Sequence, residues 1–594
     1  ILLVKYIMKN LLLFSLIIFG LSNNLSSDDQ SFLVETTSGF IKGHKGKGVI
    51  SWSNIPYAKA PIADLRWKAP RSFVSNVLIE NTQDETFCVQ EPSGLGGANG
   101  DGLIVGSEDC LYLDIKAPKK LDKPLPVMFW IHGGGNITGR KDIYDFSKMV
   151  KNHEVIVVTI NYRLGPLGWF THPSIQDNQS GLDRASNFGT LDIIQALQWV
   201  NQNIENFGGD KNNITIFGES AGGHNVLSLL VSPLAKGLFH KAISQSGYTT
   251  SISTDYAFKQ SRKSDTSENT SSEFVKKILF KKNILDAEDI RDILLSLSPE
   301  DIYREYLGKS NQNIPLMTND GIVIPKIGIK EALSKSEYVN KVPVIAGSNR
   351  DEVKLWLGSA KYFVGLEYSF LGDIFNVPSV KLKNKDAFEA FNYYRSNAWQ
   401  IRGVDEPLVG LKEAGNNQLY AYRYDWDDHR RYIVADFKEI IGAAHATEIP
   451  LLTGNNKLVG DYGFFIYPRG PSKKYTSKNM MQFWTNFAKT GSPGFSTNGI
   501  KWEPYFSNDK KSYIILDSKK NLKMISAVQK YKNLVTELAS DQRLNDLEKC
   551  VVLLQMGTYV GLDIYDSLES IFPYKCNRER SIQFLEQNAS FIDY

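Results

Sequence analysis

The stretch Ile214-Thr215-Ile216-Phe217-Gly218-Glu219-Ser220-Ala221-Gly222-Gly223 constrains this chain more than any other. A β-branched apolar run reads as a buried strand, stops at Gly-Glu-Ser-Ala-Gly, and gives way to a sequence that can stay helical as far as Leu230. A strand that turns sharply into a helix at G-x-S-x-G leaves the serine hydroxyl exposed on the turn. Side chains in place of the flanking glycines would collide with the neighbouring strand and helix. The helix start beside Ser220 also supplies unpaired N–H groups and a positive dipole end, which favour developing negative charge. Five residues recur easily in a chain with 46 glycines. The strand-then-helix context gives the pattern its weight, and it demands a base, an acid and oxyanion donors elsewhere.

The surrounding sequence fits that context. Apolar runs at Val127 to Ile131, Val155 to Ile160, Ile214 to Phe217, Lys241 to Ser246, Val342 to Ala346, Leu419 to Tyr424 and Tyr513 to Leu516 read as strands. Helical patterns lie between several of them. Thr190 to Asn203 places Leu191, Ile194, Leu197, Trp199 and Val200 on one apolar side. Fully apolar strands alternating with helices predict an α/β chain with a large, mostly parallel central sheet covered by helices on both faces. From Phe32 onward, alternating runs and turn clusters predict short antiparallel strands before that sheet. Ala287 to Leu307 reads as one amphipathic helix, and the Ser/Thr/Lys-rich segment from Ser261 to Ser272 as a loop. The glycine-rich Glu91 to Gly102 lacks G-x-G-x-x-G spacing and follows no strand, so it reads as a surface loop and not a nucleotide cradle.

A net charge of +3 over 594 residues gives no case for nucleic acid. The four cysteines form no Cys-x-x-Cys, which argues against zinc and thioredoxin-like chemistry. They fall into two local pairs, Cys88 with Cys110 and Cys550 with Cys576. Oxidised, each would stabilise the fold by about 3 kcal/mol. Met8-Lys9-Asn10, a short apolar core from Leu11 to Phe19 and a polar Ser/Asn stretch resemble a secretory signal peptide over residues 1–24, with residues 1–7 as upstream read-through. The apolar run is too short for a membrane span, so no stable membrane anchor is expected. Export to the periplasm or the medium follows, and export favours both disulfides.

Ser220 requires a base, and eight histidines compete for the role. His132 precedes Gly133-Gly134-Gly135 at a strand end, the form in which backbone N–H groups are presented to an oxyanion. His224 rides the helix after Ser220 and is carried away from the hydroxyl, so it reads as packing. His44, His153, His172 and His240 lie in connecting segments, and His429 among Asp427, Asp428, Arg430 and Arg431 reads as a charged surface loop. His445 sits in a loop of small residues far downstream, in Gly442-Ala443-Ala444-His445-Ala446-Thr447-Glu448. The chain order Ser, acid, His of α/β hydrolases puts the acid between them. The strand ending at Ala346 runs into Gly347-Ser348-Asn349-Arg350-Asp351-Glu352, and either carboxylate could hold the imidazole.

The chain resembles the type-B carboxylesterases of the carboxylesterase/cholinesterase family over about Phe32 to Leu516. Seven ordered stretches carry the resemblance: Ser107 to Asp114, Trp130 to Gly135, Asn161 to Leu164, Phe207 to Asp210, Phe217 to Gly223, Gly347 to Glu352 and Gly442 to Pro450. The resemblance implies an α/β-hydrolase fold, with Ser220 as nucleophile, Glu352 as the acid in preference to Asp351, and His445 as base. It also implies an oxyanion hole of the Gly134, Gly135 and Ala221 N–H groups, a Cys88–Cys110 disulfide and a buried pairing of Glu108 with Arg163. Four positions depart from the family pattern. Val353 and Ala446 stand where glycine usually follows the acid and the base, Asn136 where an aromatic is common, and Asn225 where serine is common. No Trp lies between Cys88 and Cys110 to hold a quaternary ammonium, which disfavours choline esters.

The expected activity is hydrolysis of a small-molecule carboxylic ester through an acyl-serine, without cofactor or metal. The alternatives are a non-catalytic adhesion or binding protein on the same fold, or a lipase or thioesterase preference. The expected organisation is a signal peptide, a catalytic unit over residues 31–540 and a helical extension over 541–594, with monomer and homodimer both open.

Overall fold

The computed structural model describes residues 32–46, 48–79, 86–94, 102–120, 122–259, 270–284, 289–306, 317–367, 379–507, 510–526, 529–557 and 564–588. The signal-peptide segment lies outside the described residues, as do most of the glycine-rich stretch after Gly94 and most of the Ser261–Ser272 segment.

Among the described residues, thirteen strands form one sheet. In chain order they are β1 (Phe32–Thr36), β2 (Gly39–Gly46), β3 (Val49–Pro56), β4 (Leu78–Ile79), β5 (Tyr112–Pro118), β6 (Leu125–Ile131), β7 (Ile156–Ile160), β8 (Gly209–Glu219), β9 (Lys241–Gln245), β10 (Val344–Asn349), β11 (Leu419–Tyr424), β12 (Tyr513–Leu516) and β13 (Lys523–Ile525). The spatial order is β1-β2-β3-β5-β7-β6-β8-β9-β10-β11-β12-β13, with β4 beside β2. From β7 to β12 every neighbour is parallel. The sheet is nonetheless mixed, because β1, β2, β3 and β5 enter antiparallel and β13 closes the other edge antiparallel.

The parallel centre follows from its side chains. Along β6, Val127, Phe129 and Ile131 join the apolar cluster on one face, while Met128 and Trp130 join the cluster on the other. A strand apolar on both sides of its pleat is stable only between two covering layers. Helix α1 (Phe188–Asn203) covers the first face with Leu191, Ile194 and Leu197. Of the later helices, α4 (Pro471–Thr490) covers the second with Met480, Phe483 and Trp484. Helix α2 (Ala221–Val231) follows β8 directly and is buried along its whole length.

The single helix expected from Ala287 to Leu307 is instead two short ones, Ile290–Leu295 and Pro299–Arg304. Pro299 cannot donate to the preceding turn, and Ser298 caps the second helix in a reciprocal capping box with Asp301. A third apolar cluster joins helix α3 (Lys385–Gln400) to the chain's end, where α5 (Tyr531–Ser540), α6 (Asp546–Gln555), α7 (Tyr565–Ile571) and α8 (Arg578–Gln587) pack together. Among the described residues no helix is long and apolar enough to cross a membrane.

Candidate active site

Ser220 occupies the one-residue gap between β8 and α2, at φ 59° and ψ −121°. A non-glycine residue held at positive φ stores strain that the surrounding structure must impose. Here the imposition is steric. A Cβ on Gly222 would lie 2.0 Å from the Ile131 carbonyl oxygen, and one on Gly218 would lie 2.6 Å from the backbone of Gly222. Strand, turn and helix therefore meet at van der Waals limits. The Ser220 N–H donates to the Gln245 carbonyl at 2.8 Å and its carbonyl accepts from His224 N–H at 2.9 Å. Its hydroxyl takes no part in capping α2. The backbone is fixed and the side chain is left over.

The loop carrying His445 reaches the same end of the sheet. Its backbone N–H donates to the Glu352 carbonyl at 3.1 Å. The ring Nδ1 lies 2.6 Å from Glu352 Oε2, and both side chains are nearly inaccessible. A carboxylate only accepts, so Nδ1 holds the proton and Nε2 carries the lone pair in the neutral ring. Glu352 Oε1 accepts the Asn349 N–H at 2.7 Å, which fixes the carboxylate plane. The adjacent Asp351 turns the other way, to the Arg350 guanidinium at 2.6 Å, Asn392 Nδ2 at 2.7 Å and the Ala443 N–H at 2.9 Å. The Arg350 and Lys354 charges, with these hydrogen bonds, outweigh burial and hold the Asp351 carboxyl below its ordinary range.

Two further carboxyls crowd the imidazole. Glu219 Oε1 lies 3.1 Å from His445 Nε2 without the alignment of a hydrogen bond, so that nitrogen keeps its hydrogen-bonding capacity. Glu448 is fully buried, held by Asn349 Nδ2 at 2.7 Å and Gln245 Nε2 at 3.1 Å. Burial pushes the Glu219 and Glu448 carboxyls up from their usual range. Burial alone would lower the pKa of His445, but the charges of Glu219 and Glu352 outweigh it and raise the imidazole. Trp356 and Trp399 pack at 5.2 and 4.9 Å from the His445 ring, closing it off from water. Sequence reasoning missed this surround. An acid directly before the elbow serine, and another three residues after His445, were the available signals for the carboxyls; the two tryptophans had none.

The glycine turn after β6 lies against the elbow. A Cβ on Gly133 would lie 3.2 Å from Ser220 Cβ. Gly134 (φ 99°) and Gly135 (φ 65°) follow, and the turn closes through Ile137 and Thr138 N–H groups on the Gly134 carbonyl, each at 3.0 Å. No acceptor among the described residues takes the N–H groups of Gly134, Gly135 or Ala221. His132 is buried and stacked on Tyr162 at 4.4 Å, and burial pushes its pKa down to about 4, so it stays neutral. His224 donates its Nε2–H to the Thr250 carbonyl at 2.7 Å, and its ring stacks on Tyr248. A depression of about 480 Å³ lined by Lys123, Glu205 and Gly209 sits at the opposite end of β6 and β8 from Ser220.

Two expectations are corrected. Glu108 does not pair with Arg163. Glu108 takes the Arg66 guanidinium in a fork at 2.6 and 2.7 Å, whereas Arg163 forks onto Asp192 of α1 at 2.7 and 2.8 Å. Arg163 leaves β7 towards α1, where Asp192 is the fully buried carboxylate that faces it. His429 is not on a charged surface. It is buried against Trp426 and Tyr467, with Nε2 at 2.8 Å from the Gly442 carbonyl. Arg430 and Arg431 are exposed while the imidazole lies in the core. Both cysteine pairs, Cys88–Cys110 and Cys550–Cys576, are disulfides. Among the described residues no group of three His, Cys, Asp or Glu is arranged to hold a metal ion.

A parallel-centred sheet with a strained serine elbow at its carboxyl edge and a downstream histidine defines an α/β hydrolase. A family model described as the carboxylesterase family matches residues 30–362 and 404–536. The para-nitrobenzyl esterase of Bacillus subtilis (strain 168) is 33% identical over 507 residues, spanning 82% of this chain and 95% of its own. Carboxylesterase 1E of Rattus norvegicus is 32% identical over 518 residues, spanning 77% and 84%. A solved PNB esterase structure superposes with a TM-score of 0.63 at 29% identity, covering 83% of this chain and 97% of that one. The chain belongs to the carboxylesterase family.

Proposed function

We propose that this carboxylesterase-family hydrolase cleaves carboxylic esters through an acyl-Ser220 intermediate. The observation that supports the reading is a His445 imidazole whose Nδ1 is held by Glu352 and whose Nε2 lies 3.1 Å from Glu219, the residue directly before the strained, uncapped Ser220. His445 Nε2 takes the Ser220 proton as Oγ attacks the ester carbonyl. The Gly134, Gly135 and Ala221 N–H groups stabilise the tetrahedral oxyanion. The imidazolium, stabilised by Glu352, then protonates the leaving alcohol. Water enters, His445 takes its proton, and collapse of the second tetrahedral species releases the acid and restores Ser220.

Covalent labelling tests the assignment against a non-catalytic binding role. An organophosphate should add one adduct to the wild-type protein, on the peptide containing Ser220. Ser220→Ala should lose both adduct and turnover; a variant that keeps either sinks the reading. p-Nitrophenyl esters of increasing acyl length then sort esterase from lipase preference.

Two disulfides and the basic–apolar–polar start support export. N-terminal sequencing of protein collected outside the cytoplasm should find a chain beginning after about residue 24; an uncleaved chain retained in the cytoplasm would overturn this.

A further inference from the structure

The proposed oxyanion donors come from two separate elements. Gly134 and Gly135 lie on the turn after β6, whereas Ala221 opens α2. Donors act on an oxyanion only when all lie within about 2.7–3.1 Å of it. Something must therefore hold turn and helix at one spacing.

A single side-chain amide spans that gap. Asn225, fully buried on the second turn of α2, donates through Nδ2 to the Ala221 carbonyl at 2.9 Å. The same nitrogen donates to Asn136 Oδ1 at 2.8 Å. Both hydrogens of the amide are thereby used. The assignment does not depend on which atom of an amide is named oxygen. A backbone carbonyl only accepts, so the Asn225 atom facing Ala221 is the nitrogen, and the Asn136 atom facing that nitrogen is the oxygen.

Asn136 is itself rigid. It directly follows Gly135, stands at φ 62° and is 8% exposed. Asparagine is among the few non-glycine residues that tolerate this region. Its carbonyl accepts the Gly165 N–H at 2.8 Å. Tyr162 donates to the His132 carbonyl at 2.7 Å, which braces the start of the same turn. The Asn225 amide thus touches the carbonyl of one proposed donor residue and the neighbour of another.

We propose that Asn136 and Asn225 are a positioning pair that sets the distance between the two halves of the oxyanion hole. The pair contacts no reacting atom and acts through the glycine turn and Ala221. A serine at 225 could still reach the Ala221 carbonyl, but its side chain is one bond too short to reach Asn136 as well. The proposal rests on the Ser220 reading above.

The test is a double-mutant cycle of Asn225→Ser and Asn136→Gly, the glycine chosen because it adopts positive φ without strain. Turnover of p-nitrophenyl butyrate is measured with the inhibition constant of a trifluoromethyl ketone, which forms a tetrahedral oxyanion on serine. Each single variant should lose about 10- to 100-fold in kcat and in ketone affinity together, with KM within about threefold. The double variant should lose no more than about threefold beyond the worse single one. A merely structural contact would lower the thermal midpoint and leave kcat and ketone affinity within twofold, which overturns the proposal. Losses that multiply in the double variant also overturn it, because the residues would then act separately. Should Asn225→Ser fail to fold, Asn136→Gly alone decides by the same kcat and ketone criterion. Ser220→Ala separates the two claims: a dead Ser220→Ala beside a normal Asn225→Ser removes the pair alone, and turnover surviving in Ser220→Ala removes both.

Discussion

The Nε2 atom of His445 stands 3.1 Å from Oε1 of Glu219, the residue immediately before Ser220. The proposed base therefore meets a second carboxyl at the ring nitrogen assigned to take the Ser220 proton. A negative charge there stabilises imidazolium and raises the pKa of the ring. The base acts when neutral, so removing the charge should extend activity to lower pH. Glu219→Gln is expected to move the acid limb of the kcat/KM profile down by on the order of one pH unit. A limb that stays in place or moves up would show that Glu219 does not act on the ring.

Glu352 and Asp351 are neighbours with different partners, and their variants should separate cleanly. Glu352→Gln keeps the shape but offers an amide to Nδ1, allowing the wrong tautomer. The expected loss in kcat is about 10³- to 10⁴-fold with the fold intact. Asp351→Asn leaves Nδ1 untouched but weakens the contacts to Arg350 and the Ala443 N–H. It should cost about 1–3 kcal/mol in denaturant unfolding and less than tenfold in kcat. Equal kinetic losses in both would contradict the division of labour.

Arg163 and Asp192 form a buried fork between the end of β7 and α1. Removing one partner strands the other charge in the core. Asp192→Ala should destabilise by about 3–5 kcal/mol, while replacing both residues by apolar ones of similar volume should recover much of that. Denaturant midpoints of the single and double variants measure it.

Ala446 follows His445 at φ 63°, a conformation glycine adopts freely. Glycine there should relieve about 1–2 kcal/mol of strain against a gain in unfolded-chain entropy of about 0.4–1 kcal/mol. The thermal midpoint of Ala446→Gly should be equal to or slightly above that of the parent, unlike a typical alanine-to-glycine change. Ala446→Val, β-branched at the same φ, should lower it clearly.

Much of the architecture was legible because apolar strands and short punctuating turns are local signals. Leu419–Tyr424 and Tyr513–Leu516 coincide with their predicted spans. The elbow was legible because its glycines answer to contacts within a few residues. What escaped depends on where side chains travel. Asp351 and Glu352 are adjacent in a turn, so spacing gives them equal claims, and only the path of the His445 loop separates them. Arg163 and Glu108 each found a partner that sequence order does not bring near. His429 looked exposed by the company it keeps, yet Trp426 and Tyr467 enclose it. The Asn225 amide links residues 89 positions apart, and neither position alone announces a bond.

The helices that follow residue 540 share one apolar cluster with α3 and with Val353, next to Glu352. Tyr362, in that cluster's rim, gives its hydroxyl to Glu548 of α6 at 2.7 Å and its ring edge to Phe584 of α8. The family match skips residues 363–403 and ends at 536, so α3 lies in the skipped part and α6 to α8 lie beyond its end. Each of these two unmatched segments covers apolar surface of the other. Trimming the chain after residue 540 would expose apolar side chains of α3 to water, and the shortened protein would be prone to clump during production even with residues 220, 352 and 445 in place.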